Sequence, residues 1–189
     1  MATMLRPEFP IGTARLDLRP FTMADLEQVH AYQSRADVAR YLYWEPRSAA
    51  EVEAALARRL DRDRLTREGD CLSLAVRRVD TGHLIGELDL DWLSERHRSG
   101  EIGFIFHPDQ HGHGFATESA AELLRLGFTG LGLHRIIARC DARNTASAGV
   151  MERLGMRREA YLRHNEIVKG RWADALVYAI LDSEWTAGT

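Results

Sequence analysis

The sequence has few of the features that mark several large classes of protein. It contains only two cysteines in 189 residues, Cys71 and Cys140, too few and too far apart to predict a disulfide framework or a zinc pair. No apolar run approaches the roughly 20 residues that span a bilayer. The first seven residues lack the apolar core of a signal peptide. We therefore expect a cytoplasmic protein with reduced thiols and no membrane segment.

An excess of charge of one sign is also lacking. The chain has 25 Lys and Arg residues against 28 Asp and Glu residues, a formal net charge of -3, which predicts no general binding to nucleic acid or membrane surfaces. Local basic pairs such as Arg58-Arg59 and Arg77-Arg78 are expected to be solvated. Hydrophobic residues make up 45% of the chain and charged residues 28%, as in an ordinary globular protein. The length suits one core, so we predict a single domain over residues 1–189.

Several catalytic and metal-binding signatures are absent as well. The histidines His107, His111 and His113 cluster, but no cysteine or acidic residue accompanies them at a recognised zinc spacing, so we predict no metal site. A P-loop is excluded because no Gly-Lys-Ser/Thr sequence follows the glycines. Nothing resembles a nucleophile elbow, and neither cysteine has a partner that would activate it. Covalent catalysis is therefore not expected.

The periodicity of the apolar residues predicts an α+β fold. A strand at residues 13–20 is followed by helices with caps at Thr22 and Ser48, the second forming a capping box with Glu51. That second helix is expected to carry one apolar face as far as Leu60. Further strands and helices are predicted at residues 71–79, 83–92, 101–107, 116–128, 133–140, 144–154, 156–168 and 173–181. The short connections favour antiparallel hairpins. We expect one central mixed sheet.

A glycine-rich loop joins the strand at residues 101–107 to the next helix. Its sequence is Gln110-His111-Gly112-His113-Gly114-Phe115-Ala116. Free amides and the helix dipole attract anions at a helix N-terminus, and glycines let the backbone approach a phosphate closely. The spacing Gly112-x-Gly114 also imitates half of a dinucleotide-binding unit, with Asp141 in the later acidic position. Against that alternative, Thr117 stands where the third glycine belongs, and hairpins precede the loop.

The same loop resembles the coenzyme A signature of the GCN5-related N-acetyltransferase (GNAT) family, Arg/Gln-x-x-Gly-x-Gly/Ala. Gly114 fits the invariant glycine and Ala116 the last position, whereas His111 stands where Arg or Gln is usual. The stretch at residues 144–156 is similar to the family's segment that lines the pantetheine and acetyl arm. Residues 13–21 and 170–178 are similar to ribosomal-protein N-terminal acetyltransferases of the RimJ/RimL type.

This resemblance implies a GNAT fold, with about six to seven mostly antiparallel strands and helices on both faces. It implies acetyl-CoA as co-substrate and direct transfer of the acetyl group, in a ternary complex, to the primary amine of a protein N-terminus or a small molecule. An exposed amide near Ile105 would stabilise the oxyanion. The cofactor-binding residues implied are Phe104, Ile105, Phe106, His111, Gly112, His113, Gly114, Phe115, Ala116, Thr117, Asn144 and Ser147.

The candidate catalytic residues are Glu101 and Ser147. Glu101, at the start of the strand beside the donor, is the candidate base; an exposed strand-end glutamate is the alternative interpretation. Its rivals are Glu87 and Asp89 on the adjacent strand, where alternation puts them on one face with Asp91. Ser147 is the candidate acid for the thiolate, although it could instead cap the helix. Many relatives carry a tyrosine at the position of Met151.

The acceptor pocket is expected between the N-terminal helices and the final hairpin. Acidic side chains there, Glu45 among them, would suit a cationic amine or a basic N-terminus. Two other functions stay open: a catalytically silent coenzyme A binder that acts as a sensor or partner, and a nicotinamide-dependent oxidoreductase. Similar proteins are frequently homodimers, which we also expect here. The candidate substrate-binding residues are Tyr41, Trp44, Glu87, Trp92 and Glu166.

Overall fold

The computed structural model of the chain describes residues 4–186 and contains, within them, one sheet of eight strands. The order across the sheet is β1-β2-β3-β4-β5-β6-β8-β7, and the neighbours are antiparallel except for the parallel pair β5–β6. Residues 1–3 and 187–189 of the predicted domain lie outside the described range. The strands are β1 (Ile11–Gly12), β2 (Leu16–Arg19), β3 (Cys71–Arg78), β4 (Leu84–Ser94), β5 (Ser99–Phe106), β6 (Arg135–Asp141), β7 (Arg157–Val168) and β8 (Arg171–Leu181).

Helices cover both faces of the sheet, so the predicted α+β fold is confirmed. Buried residues of α4 and α5 pack with Leu88 and Leu90 of β4 in the main hydrophobic cluster. On the opposite face, α1 and α3 form a second cluster that includes Tyr32 and Leu56. No helix among the described residues is long and apolar enough to cross a membrane. The helices are α1 (Leu26–Gln33), α2 (Ala36–Ala39), α3 (Ala49–Ala57), α4 (Phe115–Arg125) and α5 (Thr145–Arg153).

The differences from the predicted elements are local. The sheet has eight strands, whereas six or seven were predicted. The additional strand is β1, whose two residues are too few to show an alternating pattern. The helix predicted at residues 116–128 ends at Arg125 and continues as a π-helical turn, Leu126–Gly130. The helix after Ser48 ends at Ala57, so Arg59 and Leu60 lie in the turns that follow it.

The N-terminus of α3 carries the predicted capping box. Ser48 Oγ accepts a hydrogen bond from the Glu51 amide (3.4 Å), and Glu51 Oε2 accepts one from the Ser48 amide (2.8 Å). We expect Ser48→Ala to lower the free energy of unfolding by about 1 kcal/mol, because one N-terminal amide of the helix loses its acceptor. Urea unfolding measures this loss. Ser183→Ala, at an exposed serine in the turn after β8, is the control; an equal loss there would contradict the capping role.

The sheet opens between its two parallel strands. Strands β5 and β6 pair only through Ser99, Gly100 and Glu101. Beyond Glu101, β5 stays paired with β4 on one side and β6 with β8 on the other, so the two strands separate. The main-chain groups on the facing edges of residues 102–106 and 138–141 therefore have no strand partner across the gap, and buried groups of this kind require one. The candidate active site lies at this gap.

Candidate active site

A cleft of about 760 Å³ lies at the gap between β5 and β6. This volume is in the usual range for small-molecule sites, roughly 300–1,000 Å³. Its walls are the end of β5, the glycine loop, the first turn of α4, one side of α5 along its length, and residues 37–38 and 40–42. Every residue that the sequence suggested for cofactor binding lines this cleft except His113: Phe104, Ile105, Phe106, His111, Gly112, Gly114, Phe115, Ala116, Thr117, Asn144 and Ser147.

The glycine loop presents free amides to this cleft. Gly112 and Gly114 have φ angles of 79° and 80°, in the left-handed region that favours glycine. Gly114 is the N-cap of α4 and contributes no side-chain cap, and the first bond of the helix runs from the Glu118 amide to the Gly114 carbonyl. No acceptor from residues 4–186 binds the amides of residues 112–117. The arrangement can therefore hold a pyrophosphate through the main chain.

Two arginines, one just before β2 and one at the end of β3, brace the loop. Arg15 pairs with Glu118 at 2.6 Å and donates a hydrogen bond to the His113 carbonyl (3.0 Å). Arg78 donates to Gln110 Oε1 (3.1 Å). Although burial raises the pKa of Glu118, the hydrogen bonds from Thr13 and Arg15 outweigh it and hold this pKa below its usual value. Arg78 also pairs with the exposed Asp80 (2.6 Å) and stays partly exposed, so its contact with a loop 32 residues away adds to the predicted solvated position, and the sequence showed no sign of that contact.

Helix α5 places two of the suggested residues at the other wall. Asn144 is its N-cap, and its Oδ1 accepts a hydrogen bond from the Ser147 amide (3.1 Å). The Ser147 side chain is half-buried in the cleft wall, so a hydroxyl is available there for proton transfer. Met151 is buried in the main cluster and brings no polar group to the cleft. Tyr41 supplies a second hydroxyl from the opposite wall, where Arg40 and Arg143 lie 5.2 Å and 5.7 Å from its ring.

Glu101 belongs to the last pair of residues that joins β5 to β6 before the two strands separate. It does not line the cleft. Its carboxylate accepts two hydrogen bonds from Arg139, at 2.9 Å and 3.0 Å. Across β4, Asp91 pairs with Glu101 and Asp89 with Gly103, so the three carboxylates share the face that carries α1 and α3. Burial, reinforced by Asp89 and Glu101, raises the pKa of Asp91. The gap therefore opens beside these three carboxylates, Asp89, Asp91 and Glu101, which we call the acidic strip.

Two of the suggested acceptor residues are buried away from this cleft. Glu87 is 1% exposed because α1 and α3 cover its end of β4. Its carboxylate accepts hydrogen bonds from Tyr32 (2.6 Å) and Gln33 (2.8 Å), and it pairs with Arg59 (3.0 Å). The Arg58-Arg59 pair was expected to be solvated, and for Arg59 that expectation was wrong. Trp92 is 3% exposed and packs in the main cluster, since alternation along β4 turns it to the opposite face.

The remaining suggested acceptor residues lie on the roof segment, which we define as residues 37–45, or contact it. Tyr43 donates a hydrogen bond to Glu166 of β7 (2.7 Å), and burial together with Glu166 raises the pKa of Tyr43 to about 12. Lys169 donates to the Ala39 carbonyl (2.8 Å) and pairs with Glu45 (3.2 Å). These contacts join the roof segment to the β7–β8 hairpin. Trp44 instead faces the guanidinium of Arg47, 4.2 Å away.

The topology explains why the loop imitates a dinucleotide site. Strand β5, the loop, α4 and β6 form one parallel βαβ unit, and the other neighbouring strands are antiparallel. A glycine loop at a helix N-terminus beside two separating parallel strands is the arrangement expected of an acyl-coenzyme A-dependent transferase. The main-chain amides would hold the pyrophosphate, and the free edge of β5 would pair with the pantetheine amides.

Sequence comparison agrees with this class. A family model described as an acetyltransferase (GNAT) domain matches residues 15–157. An uncharacterized N-acetyltransferase of Bacillus subtilis, YnaD, is 32% identical over 180 residues, which cover 93% of this chain and 98% of that protein. The chain belongs to the GNAT family, and it is an acetyl-CoA-dependent N-acetyltransferase. This assignment removes the nicotinamide-dependent alternative.

The names of two further relatives state the amine that receives the acetyl group. The spermidine N(1)-acetyltransferase of Escherichia coli is 28% identical over 170 residues, with 90% of this chain and 88% of that protein covered. The spermidine N-acetyltransferase of Vibrio cholerae, solved in complex with CoA and spermine, superposes with a TM-score of 0.76 at 26% identity, over 91% of this chain and 98% of that one. The predicted co-substrate, acetyl-CoA, is confirmed.

Proposed function

We propose that this enzyme acetylates a primary amine of a small polycationic molecule, such as a polyamine. The observation that carries this proposal is the acidic strip beside the gap. Asp89, Asp91 and Glu101 share one face with the buried Glu87, and within residues 4–186 only the guanidinium groups of Arg59 and Arg139 pair with these four carboxylates. Asp91 has no ion-pair partner among the described residues. A net negative surface of this kind concentrates cations.

The roof segment supports a small acceptor. It is tied to the β7–β8 hairpin by the Tyr43–Glu166 bond and the Lys169 contacts, so it restricts access to the strip from that side. A thin, flexible polyamine fits beneath such a roof more readily than the terminus of a folded protein does. The similarity to spermidine acetyltransferases points to the same class of acceptor.

A second candidate acceptor is a protein N-terminus, as the RimJ/RimL-like residues at 13–21 and 170–178 imply. The β7–β8 hairpin favours it, because Trp172 and Tyr161 are 60% and 53% exposed and offer apolar surface to a peptide. Strand β7 lies at the edge of the sheet and would serve a homodimer. We also propose a cytoplasmic location, since both cysteines are free thiols.

In the proposed mechanism, the amine nitrogen would bond to the acetyl carbon as the carbon–sulfur bond of the thioester breaks. Glu101 takes the amine proton through a water, and Ser147 protonates the departing thiolate and regains a proton from solvent. The edge of β5 near Ile105 has an amide without a strand partner across the gap, which would stabilise charge that develops on the thioester oxygen. Asn144 fixes the start of α5 and thereby the position of Ser147.

The acceptor proposal is tested by measuring release of free coenzyme A thiol. We expect spermidine and spermine to be turned over with a higher kcat/KM than peptides with free N-termini or aminoglycosides. A preference for a peptide would replace the polyamine with the second candidate. Tight binding of acetyl-CoA with no thiol release from any amine would indicate a catalytically silent binder and would reject both.

The role of Glu101 is tested by Glu101→Gln. Because general base catalysis contributes about 10²–10⁴-fold, we expect kcat to fall by at least about a hundredfold near neutral pH and activity to recover partly at higher pH, where more of the amine is already unprotonated. The measurement is the pH profile of kcat/KM. Glu159→Gln, on an exposed glutamate that pairs with Arg135, is the control. An unchanged pH profile in Glu101→Gln would remove this residue from the mechanism.

A further inference from the structure

We propose that Arg153 binds the 3′-phosphate of coenzyme A, so that the enzyme distinguishes acetyl-CoA from acetyl-dephospho-CoA. Arg153 is the last residue of α5, and it lines the cleft. The inference rests on the proposed function for two placements, the thiol at Ser147 and the pyrophosphate at the free amides of residues 112–117. It is independent of the identity of the acceptor.

Arg153 lies at the end of the cleft that is remote from the thiol. Of the α5 residues that line the cleft, it is the farthest along the helix from Ser147. At a rise of about 1.5 Å per residue, the two are separated by about 9 Å along the helix axis. Coenzyme A carries its thiol at one end and all of its phosphates toward the other. Arg153 therefore faces the phosphate end of the co-substrate.

The guanidinium of Arg153 is held beside the N-terminus of α4. Its Nε donates a hydrogen bond to Thr117 Oγ1 (3.3 Å), and Thr117 belongs to the first turn of α4. Its Nη1 lies over Gly149, one turn earlier on α5, where a Cβ would come within 3.2 Å of it. The glycine thus leaves the space that the guanidinium occupies. Within residues 4–186 the Nη groups donate to no acceptor, so they can donate to a ligand.

The positive charge of Arg153 is not neutralised within the part of the chain that the structure describes. The adjacent Glu152 accepts a hydrogen bond from Tyr178 (2.9 Å), and Glu118, next to Thr117, pairs with Arg15 (2.6 Å). The N-terminus of a helix also carries partial positive charge, which makes a guanidinium beside it unfavourable until an anion binds there. The arrangement of Arg153 against α4 therefore suits an anionic ligand.

The 3′-phosphate fits this position better than the pyrophosphate does. The free amides of residues 112–117 can already satisfy the oxygens of the pyrophosphate through the main chain. The 3′-phosphate is the remaining anion at that end of coenzyme A, and a phosphate oxygen pair is the partner that a guanidinium binds in a bidentate manner. Arg153 is exposed, as a side chain that meets a group at the mouth of the cleft should be.

The test compares acetyl-CoA with acetyl-dephospho-CoA, which differ only in the 3′-phosphate. In Arg153→Gln we expect the KM for acetyl-CoA to rise about fivefold or more, because one charge-assisted contact at an exposed site is lost. The KM for acetyl-dephospho-CoA should stay at its wild-type value. Arg40→Gln is the matched control, since it removes the same charge from the roof segment of the same cleft. It should leave the ratio of the two KM values unchanged.

A second variant keeps the charge and moves the guanidinium. In Gly149→Ala the new Cβ meets only the flexible end of Arg153, and alanine favours the helix, so the fold should be retained. We expect the KM to rise for acetyl-CoA alone, by less than in Arg153→Gln. Urea unfolding should show a midpoint no lower than that of the wild type.

Calorimetry with coenzyme A and dephospho-CoA gives the same comparison without turnover. Equal losses for the two ligands in Arg153→Gln would place Arg153 on the pyrophosphate and overturn the inference, and so would no loss for either. An equal selective loss in Arg40→Gln would mean that the charge of the cleft as a whole, and not Arg153, recognises the 3′-phosphate. Wild-type enzyme that binds both ligands equally would also overturn the inference, while leaving coenzyme A as the donor.

Discussion

Replacing Gly114 with valine is expected to raise the KM for acetyl-CoA about a hundredfold, the loss typical when preorganised contacts of a binding site are displaced. Gly114 has a φ angle of 80°, which a β-branched residue adopts only with strain. The backbone would relieve that strain by rotating, and the free amides of residues 115–117 would turn with it. The new Cβ itself would make only an ordinary contact with Arg15 Nη2, at 3.5 Å, so the effect comes from the backbone. Steady-state kinetics and calorimetry with acetyl-CoA measure the loss.

A matched glycine separates strain from function. Gly82, in the turn between β3 and β4, has a φ angle of 70°, has open space within 4 Å of the position that a Cβ would take, and does not line the cleft. Gly82→Val should cost comparable stability, about 1–3 kcal/mol, and leave the KM for acetyl-CoA unchanged. If Gly114→Val bound acetyl-CoA normally, or if both variants lost affinity equally, the loop would not be the pyrophosphate site.

The parts of the molecule that the sequence predicted well depend on contacts between near neighbours in the chain. The capping box at Ser48 and Glu51 is a contact over three residues, and it forms as expected. The loop before α4 takes its left-handed turns from two glycines that lie within a few residues of the helix N-terminus, and its role in binding stays a prediction. Local signals of this kind need no knowledge of the rest of the fold.

The errors come from packing that only the fold decides. Alternation predicted that Glu87, Asp89 and Asp91 share a face, and the strand register agrees. It could not show that α1 and α3 cover one end of that face, which buries Glu87 and leaves Asp91 accessible. Likewise, Arg139 reaches Glu101 from 38 residues away, through the parallel register of β5 and β6. Composition and spacing carry no information on such a contact.

The buried ion pair between Glu87 and Arg59 gives the largest expected effect on stability. We expect Arg59→Leu to lower the free energy of unfolding by about 3–5 kcal/mol, because it leaves a carboxylate that is 1% exposed without its cation. The hydrogen bond from Tyr32 would remain. Burial and the nearby Glu87 raise the pKa of Tyr32 well above its usual value, so its hydroxyl stays protonated and continues to donate. Two neutral donors, Tyr32 and Gln33, do not replace the positive charge of a guanidinium 3.0 Å from the Glu87 carboxylate.

Two further variants identify the charge as the cause. Arg135→Leu removes an arginine from an exposed pair and should cost less than about 1 kcal/mol. The double variant Arg59→Leu/Glu87→Gln should recover most of the stability lost in Arg59→Leu, because the neutral amide no longer needs a cation, and replacing both members of a buried pair is often close to neutral. Urea unfolding at neutral pH measures all three. A loss in Arg59→Leu no larger than in Arg135→Leu, or no recovery in the double variant, would mean that Arg59 stabilises the protein by packing against Phe21, 5.5 Å from its guanidinium, and not by compensating Glu87.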